Sequence, residues 1–209
     1  MTPIDFCYSI GSTYTYLTVT RLGDFARREG ISFRWRPFDV RAIMLEQNNI
    51  PFTKKPVKSA YMWRDIERRA GLYDLPIRVP APYPLENLAF ANQVALLGMK
   101  EGWGEAYTVE TYRIWFQDGL PAGSEPNLSE TLRRIGQDPA KAIETASAPE
   151  FVSALAAETQ AVKKAGVFGS PSFIVDGEVF WGDDRLDDAV QWSRNGSLRG
   201  GSTSLPSRG

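Results

Sequence analysis

Short alternating runs sit at both ends of this chain, and the long middle has none. Ile4, Phe6 and Tyr8 alternate with Asp5, Cys7 and Ser9; Ile31, Phe33 and Trp35 alternate with Ser32, Arg34 and Arg36. Period two predicts a strand in each case. Between them, Thr13–Glu29 places Val19, Leu22 and Ala26 on one helical face, and Gly30 follows as a C-terminal stop. Two strands joined by one helix over so short a span predict a right-handed parallel βαβ unit. Near the other end, "PSFIVDGEVFWG" sets Asp176-Gly177 between two apolar runs, a strong hairpin signal. "DDRLDDAVQWSRN" then supplies a last helix, with Asp183 or Asp184 at its start.

From Asp39 to about Lys164 the apolar spacing is mostly helical. "PLENLAFANQVALLGMKEG" puts Leu85, Leu88, Asn92, Ala95 and Met99 on one stripe; "AYTVETYRIWFQDG" and "FVSALAAETQAVKKAG" also read as helices. "DPAKAIETA" is a short helix with Pro139 in its first turn. Pro-rich connectors separate these segments. The expected fold class is α/β: a thioredoxin-like sheet, βαβ then ββα, with a large all-helical insertion. Residues 1–38 and 166–193 form the thioredoxin-like domain and 39–165 the insertion; 194–209 form a Gly/Ser-rich tail, expected to be flexible.

Composition closes several routes to function. Lys plus Arg is 24 and Asp plus Glu is 25, which leaves no basic footprint for nucleic acid or an anionic membrane. No apolar run approaches the roughly 18 residues that span a bilayer. The start, Met-Thr-Pro-Ile-Asp, has neither the basic segment nor the apolar core of a signal peptide, so a soluble cytoplasmic protein is expected. The chain has no histidine and a single cysteine, Cys7. That excludes zinc sites built on His or Cys clusters, Ser-His-Asp and Cys-His nucleophiles, an internal disulfide and dithiol redox chemistry. Cys7, in mid-strand, reads as a buried small hydrophobe.

Three segments carry a resemblance. "GSTYTYL" follows the first strand, and its Ser12 sits at a strand-to-helix turn, where a serine caps a helix or holds a ligand. This stretch resembles the Ser-Pro-Tyr-Ser-Tyr-Leu signature of 2-hydroxychromene-2-carboxylate isomerases, DsbA-like thioredoxin-fold proteins similar to kappa-class glutathione transferases. "NNIPFTKKPVKSAYMWRDIERRA" resembles the second signature, an Asn-x-Pro followed by a Lys, a Tyr-Met and an Asp. "GVFGSPSFIVDGEVFWGDDRL" resembles the third, a Gly-x-x-Gly-x-Pro strand and a Phe/Trp-Gly-x-Asp-Arg turn. The three span Gly11 to Leu186. Thr13 departs from the pattern where a proline is common, which removes rigidity at the helix start.

The resemblance implies glutathione as cofactor. Redox relatives carry Cys-x-x-Cys at the turn that here reads Ser12-Thr13-Tyr14-Thr15, so the sulfur comes from outside. Ser12 would donate a hydrogen bond to the thiolate beside the positive end of the helix. Pro171 would be a cis-proline facing that helix, and Ser170 would offer its backbone N–H and C=O to the cysteinyl unit. Asp184 would bind the γ-glutamyl ammonium, with Asp183 sharing the task or merely capping. Lys58 would neutralise the glycyl carboxylate, Asn49 would hydrogen-bond near the sulfur or the substrate, and Phe168 would line a pocket for an aromatic substrate. Plainer roles compete: a solvated Lys58, Asn49 as a turn residue before Pro51, a strand-edge Pro171, and aspartates that complement a helix dipole. Asp65 and Arg185 read as structural. The implied activity interconverts 2-hydroxychromene-2-carboxylate and trans-o-hydroxybenzylidenepyruvate through reversible thiolate addition. The alternatives are a kappa-like glutathione transferase and a redox-inactive thioredoxin-fold binding protein. The relatives also imply a homodimer.

Overall fold

The computed structural model describes residues 3–49, 52 and 55–198. Strand β1 (Ile4–Tyr8) leads into helix α1 (Thr15–Glu29), which crosses to β2 (Phe33–Pro37), parallel to β1. Strand β3 (Ser172–Val175) pairs antiparallel with β1, and β4 (Glu178–Trp181) antiparallel with β3. The sheet order is β2-β1-β3-β4. This is the expected α/β thioredoxin-like sheet, βαβ then ββα, with Asp176-Gly177 at the hairpin turn.

The alternation of β1 gives the sheet two unlike faces. On one, Phe6 stacks on Tyr8 at 5.1 Å between ring centroids and on Phe173 at 5.5 Å, with Trp35 edge-on at 4.9 Å. These rings anchor the apolar core. On the other, Asp5 accepts hydrogen bonds from Arg34 (2.6 Å) and Arg36 (2.9 Å), and Arg36 reaches on to Glu158 (2.6 Å).

Between β2 and β3 the described residues form helices and connecting loops, without a strand. They are α2 (Val40–Glu46), α3 (Pro56–Leu72), α4 (Leu88–Glu101), α5 (Gly104–Arg113), α6 (Asn127–Arg134), α7 (Pro139–Ala146) and α8 (Pro149–Lys164). Asp39 and Asp138 cap α2 and α7 through their side chains. Tyr8 and Thr108 of α5 share a hydrogen bond of 2.7 Å that ties the block to the sheet.

The structure corrects the sequence reading in three places. The segment read as one helix through Asp118 changes after Arg113 into a π-helical turn, Ile114–Asp118, which buries Trp115 and Phe116. Apolar spacing does not register a switch of one residue per turn. Asp183–Arg185 form a 3₁₀ turn, and α9 (Leu186–Asn195) starts only after it. Arg194 and Asn195 therefore belong to α9 and not to the tail; Arg194 donates to the Glu29 carbonyl at 2.7 Å. Residues 199–209 of the expected tail lie outside the described residues.

The α4–α5 corner depends on a close approach. A Cβ on Gly98 would lie 2.6 Å from the Trp103 ring and 2.7 Å from the Gly104 Cα. The latter contact is backbone and cannot swing away. Gly98→Ala is therefore expected to destabilise the protein by about 1–3 kcal/mol through overpacking. A thermal melt reads this directly; an unchanged Tm would contradict the packing argument.

Candidate functional site

After β1 the chain makes a turn in which the Ser12 N–H donates to the Ser9 carbonyl at 3.0 Å. Helix α1 then begins behind Tyr14, whose backbone is already helical (φ −67°, ψ −23°). No side chain caps this end, and its first turn holds no acidic residue. The positive end of the helix dipole is thus left uncompensated by acids of its own first turn. The cap reading of Ser12 does not hold, because Ser12 lies too far ahead of the helix. Its hydroxyl donates instead to the Ser170 carbonyl, at 2.6 Å.

Ser170 precedes Pro171 through a cis peptide bond. Its hydroxyl oxygen accepts the Ser9 N–H at 2.9 Å and shares a hydrogen bond of 2.9 Å with the Thr15 hydroxyl. Both outer positions of Ser12-Thr13-Tyr14-Thr15 therefore end on one residue. Ser170 and Pro171 are buried while Ser12 is half-buried, so Ser12 stands at the mouth of the centre. Gly11 has φ of 133°, and a Cβ there would lie 2.1 Å from Leu88 Cδ1, so the turn rests directly on α4.

The helical block holds this turn through residues that sequence reasoning did not assign to the site. Asn92 of α4 accepts the Ile10 N–H at 2.8 Å and donates to the carbonyls of Ile10 (3.0 Å) and Leu88 (2.8 Å). Tyr112 of α5 shares its hydroxyl proton between the carbonyls of Ser9 (2.9 Å) and Ser12 (3.0 Å). An asparagine on an otherwise apolar stripe was a usable signal for the first; nothing local marks the second. Thr13 is buried, and its hydroxyl donates to Met62 Sδ at 3.1 Å, so a side-chain bond restrains this position of the turn. Tyr14 donates to Asp65 at 3.0 Å. Burial first, and then the Asp65 carboxylate, push the Tyr14 phenol's pKa up, so it stays a donor.

The remaining expected site residues fall into two groups. Asp183 is 2% exposed, and its carboxylate bonds Arg21 (2.9 Å), Arg69 (3.0 Å) and Thr18 (3.1 Å). Its oxygens are committed to joining α1, α3 and the 3₁₀ turn, which is an anchor's role. Asp184, its neighbour, is exposed. Lys58 is also exposed, one turn before Met62 on the same face of α3, with Nζ 5.8 Å from the Phe52 ring centroid. Asn49 is exposed after α2, and its N–H donates to the Met44 carbonyl at 2.9 Å. Phe168 is 44% exposed and meets Trp181 edge-on at 4.9 Å. The geometry thus unites Ser12, Ser170 and Pro171. Asn49, Lys58, Asp184 and Phe168 are surface residues with no hydrogen bond to that centre among the described residues.

Two further features bound the chemistry. Cys7 is fully buried, and burial chiefly pushes its thiol up to about 12, so it is no nucleophile. A cleft of about 450 Å³ opens elsewhere, lined by Trp35, Glu105, Val109 and Ile135 among others, and shares no residue with the Ser12 centre.

A family model described as the DSBA-like thioredoxin domain matches residues 3–191. The chain belongs to the DsbA-like thioredoxin family. Within it, this DsbA-like chain is 33% identical over 194 residues to a 2-hydroxychromene-2-carboxylate isomerase of Sphingobium xenophagum, covering 88% of this chain and 94% of the relative. It is 25% identical over 199 residues to glutathione S-transferase kappa 1 of Caenorhabditis elegans, covering 88% and 87%. A solved 2-hydroxychromene-2-carboxylate isomerase shares the fold with a TM-score of 0.79 at 24% identity, covering 90% of this chain and 92% of that one. The resemblance carried by the three sequence segments is borne out.

Asp183→Ala leaves two guanidinium groups without their carboxylate and is expected to cost about 3–5 kcal/mol, whereas Asp184→Ala leaves stability unchanged. Urea denaturation of both variants distinguishes them, and equal midpoints would remove Asp183 from its anchoring role. Because the Cys7 thiolate is scarce until pH approaches about 12, native protein should not react with a thiol reagent at mildly alkaline pH. Reaction should appear when denaturant is added, and prompt labelling of the folded chain would contradict the burial.

Proposed function

We propose that this chain is a glutathione-dependent isomerase of the 2-hydroxychromene-2-carboxylate type. The observation that carries the reading is the Ser12 hydroxyl, a hydrogen-bond donor held 2.6 Å from the Ser170 carbonyl beside an uncapped helix N-terminus. That donor set suits an anionic sulfur, and among the described residues no side-chain base bonds the Ser12 hydroxyl. The residues therefore fit glutathione.

When bound, glutathione supplies a thiolate whose reversible addition to a conjugated double bond lets that bond rotate, and it leaves unconsumed. Ser12, which donates to the Ser170 carbonyl, would hold that sulfur by turning its proton to it, because a charged acceptor outcompetes a neutral one. The Ser170 carbonyl would then be free to accept the N–H of the cysteinyl unit, as a sheet edge accepts an added strand. Each hydrogen bond given up is replaced by another. The α1 N-terminus favours the ionised thiol over the neutral one. Asp184 and Lys58, both exposed, take the γ-glutamyl ammonium and the glycyl carboxylate, and Asn49 hydrogen-bonds near the sulfur or the substrate. Asp183 supports this end of the site by holding α1 and α3 in place. Phe168 offers an apolar face to an aromatic substrate. A cytoplasmic location and a homodimeric state complete the proposal; among the described residues no helix is long and apolar enough to cross a membrane.

The relation to a kappa-class transferase supports a second reading, in which conjugation is the end point. Free glutathione measured before and after turnover separates the two: it is unchanged in isomerisation and lost stoichiometrically in transfer. For either reading, Ser12→Ala is expected to lower the rate about ten- to a thousand-fold with the fold intact. An undiminished rate would remove Ser12 from the chemistry. An absence of binding heat with millimolar glutathione would favour a redox-inactive binding protein instead.

A further inference from the structure

We propose that Tyr112 is a positioning residue for Ser12, holding from the helical block the turn at which the thiolate is met. Asn92 assists from the neighbouring helix. The inference rests on the glutathione reading above and goes beyond it by assigning to α4 and α5 a part in ionising the thiol.

Three observations carry it. The turn's own backbone supplies one internal bond, from the Ser12 N–H to the Ser9 carbonyl. The rest of its fastening comes from outside: Ser170 on one side, Asn92 and Tyr112 on the other. Tyr112 is fully buried and lies 100 residues on from Ser12 in sequence, so its hydroxyl has no solvent alternative.

Two physical effects link that hydroxyl to a bound sulfur. Hydrogen bonds weaken steeply as their angle departs from linear. A turn released at the Ser9 and Ser12 carbonyls lets the Ser12 side chain drift from its aim. The second effect is electrostatic. Carbonyl oxygens carry partial negative charge, and those of Ser9 and Ser12 belong to the same short turn that displays the Ser12 hydroxyl. A donor placed on both reduces their repulsion of the thiolate. Burial pushes the Tyr112 phenol's pKa up, so it keeps its proton throughout the working range.

The same helix provides a control. Tyr107 is also fully buried on α5, but its hydroxyl makes no hydrogen bond to the turn. Tyr107→Phe and Tyr112→Phe thus make the same chemical change about one and a half helical turns apart. A merely structural tyrosine would alter stability without altering the ionisation of a bound thiol.

The test is a pH titration of thiolate ultraviolet absorbance in the glutathione-loaded full chain, for the wild type and both variants. For Tyr112→Phe the midpoint is expected to rise by about half a pH unit or more, and for Tyr107→Phe to stay at the wild-type value. An unmoved midpoint in Tyr112→Phe, or an equal rise in both, overturns the inference while leaving the glutathione reading intact. If Tyr112→Phe does not fold, Asn92→Ala tests the same turn from α4 with the same readout; a rise supports the inference and an unmoved midpoint overturns it. Should the wild type bind no glutathione by calorimetry, the underlying reading fails and the inference fails with it.

Discussion

A buried turn must pair its own backbone, and residues 9–12 do so with side chains borrowed from distant parts of the chain. The Ser9 N–H goes to Ser170, the Ile10 amide and carbonyl go to Asn92, and the Ser9 and Ser12 carbonyls go to Tyr112. Each such group left unpaired in the interior costs about 1–3 kcal/mol. The sheet, the helical block and the Pro171 loop are therefore locked to one another at the place where Ser12 is displayed. Packing at Gly11 against Leu88 leaves the turn little room to relax. Fold and site are in this sense one construction, because the bonds that close the structure are also those that aim the hydroxyl.

Charge is arranged to match. The first turn of α1 has no acid, while Asp65, the carboxylate that Tyr14 reaches, is bonded by that tyrosine and approached by Arg68 at 3.4 Å. Asp183 of the 3₁₀ turn, which meets α1 at Thr18 and Arg21, is matched by Arg21 and Arg69, and Arg21 stacks over the Tyr73 ring at 4.2 Å. Two guanidinium groups against the Asp183 carboxylate leave this buried acid fully matched by opposite charge. The anchor also ties α1 to α3, the helix that carries Lys58.

Much of the fold was legible because strands and amphipathic helices announce themselves within a few residues. The alternation of Ile4, Phe6 and Tyr8, the Asp176-Gly177 turn and Pro139 in the first turn of a helix each report a local preference, and each appears where expected. The π-helical turn after Arg113 was not legible, since shifting one residue per turn leaves an apolar pattern almost unchanged. The site was legible in part. Ser12 stands out as a hydroxyl at a strand-to-helix turn, but whether it caps the helix or faces Ser170 depends on how far before Thr15 it lies in space. Asp183 and Asp184 look equivalent in sequence, yet one is buried among arginines and the other is exposed.

The sequence by itself determined the order of elements and the chemistry open to them: no histidine, one strand cysteine, and hydroxyls where a redox protein needs thiols. Tertiary structure alone decided which hydroxyl points where and which residues brace it. The reason is the range of the forces. Periodicity is set by neighbours three or four positions away, whereas the bonds of Asn92 and Tyr112 to the turn, and of Ser170 to Ser9, join residues 82 to 161 positions apart. Those bonds exist only once the whole chain has packed.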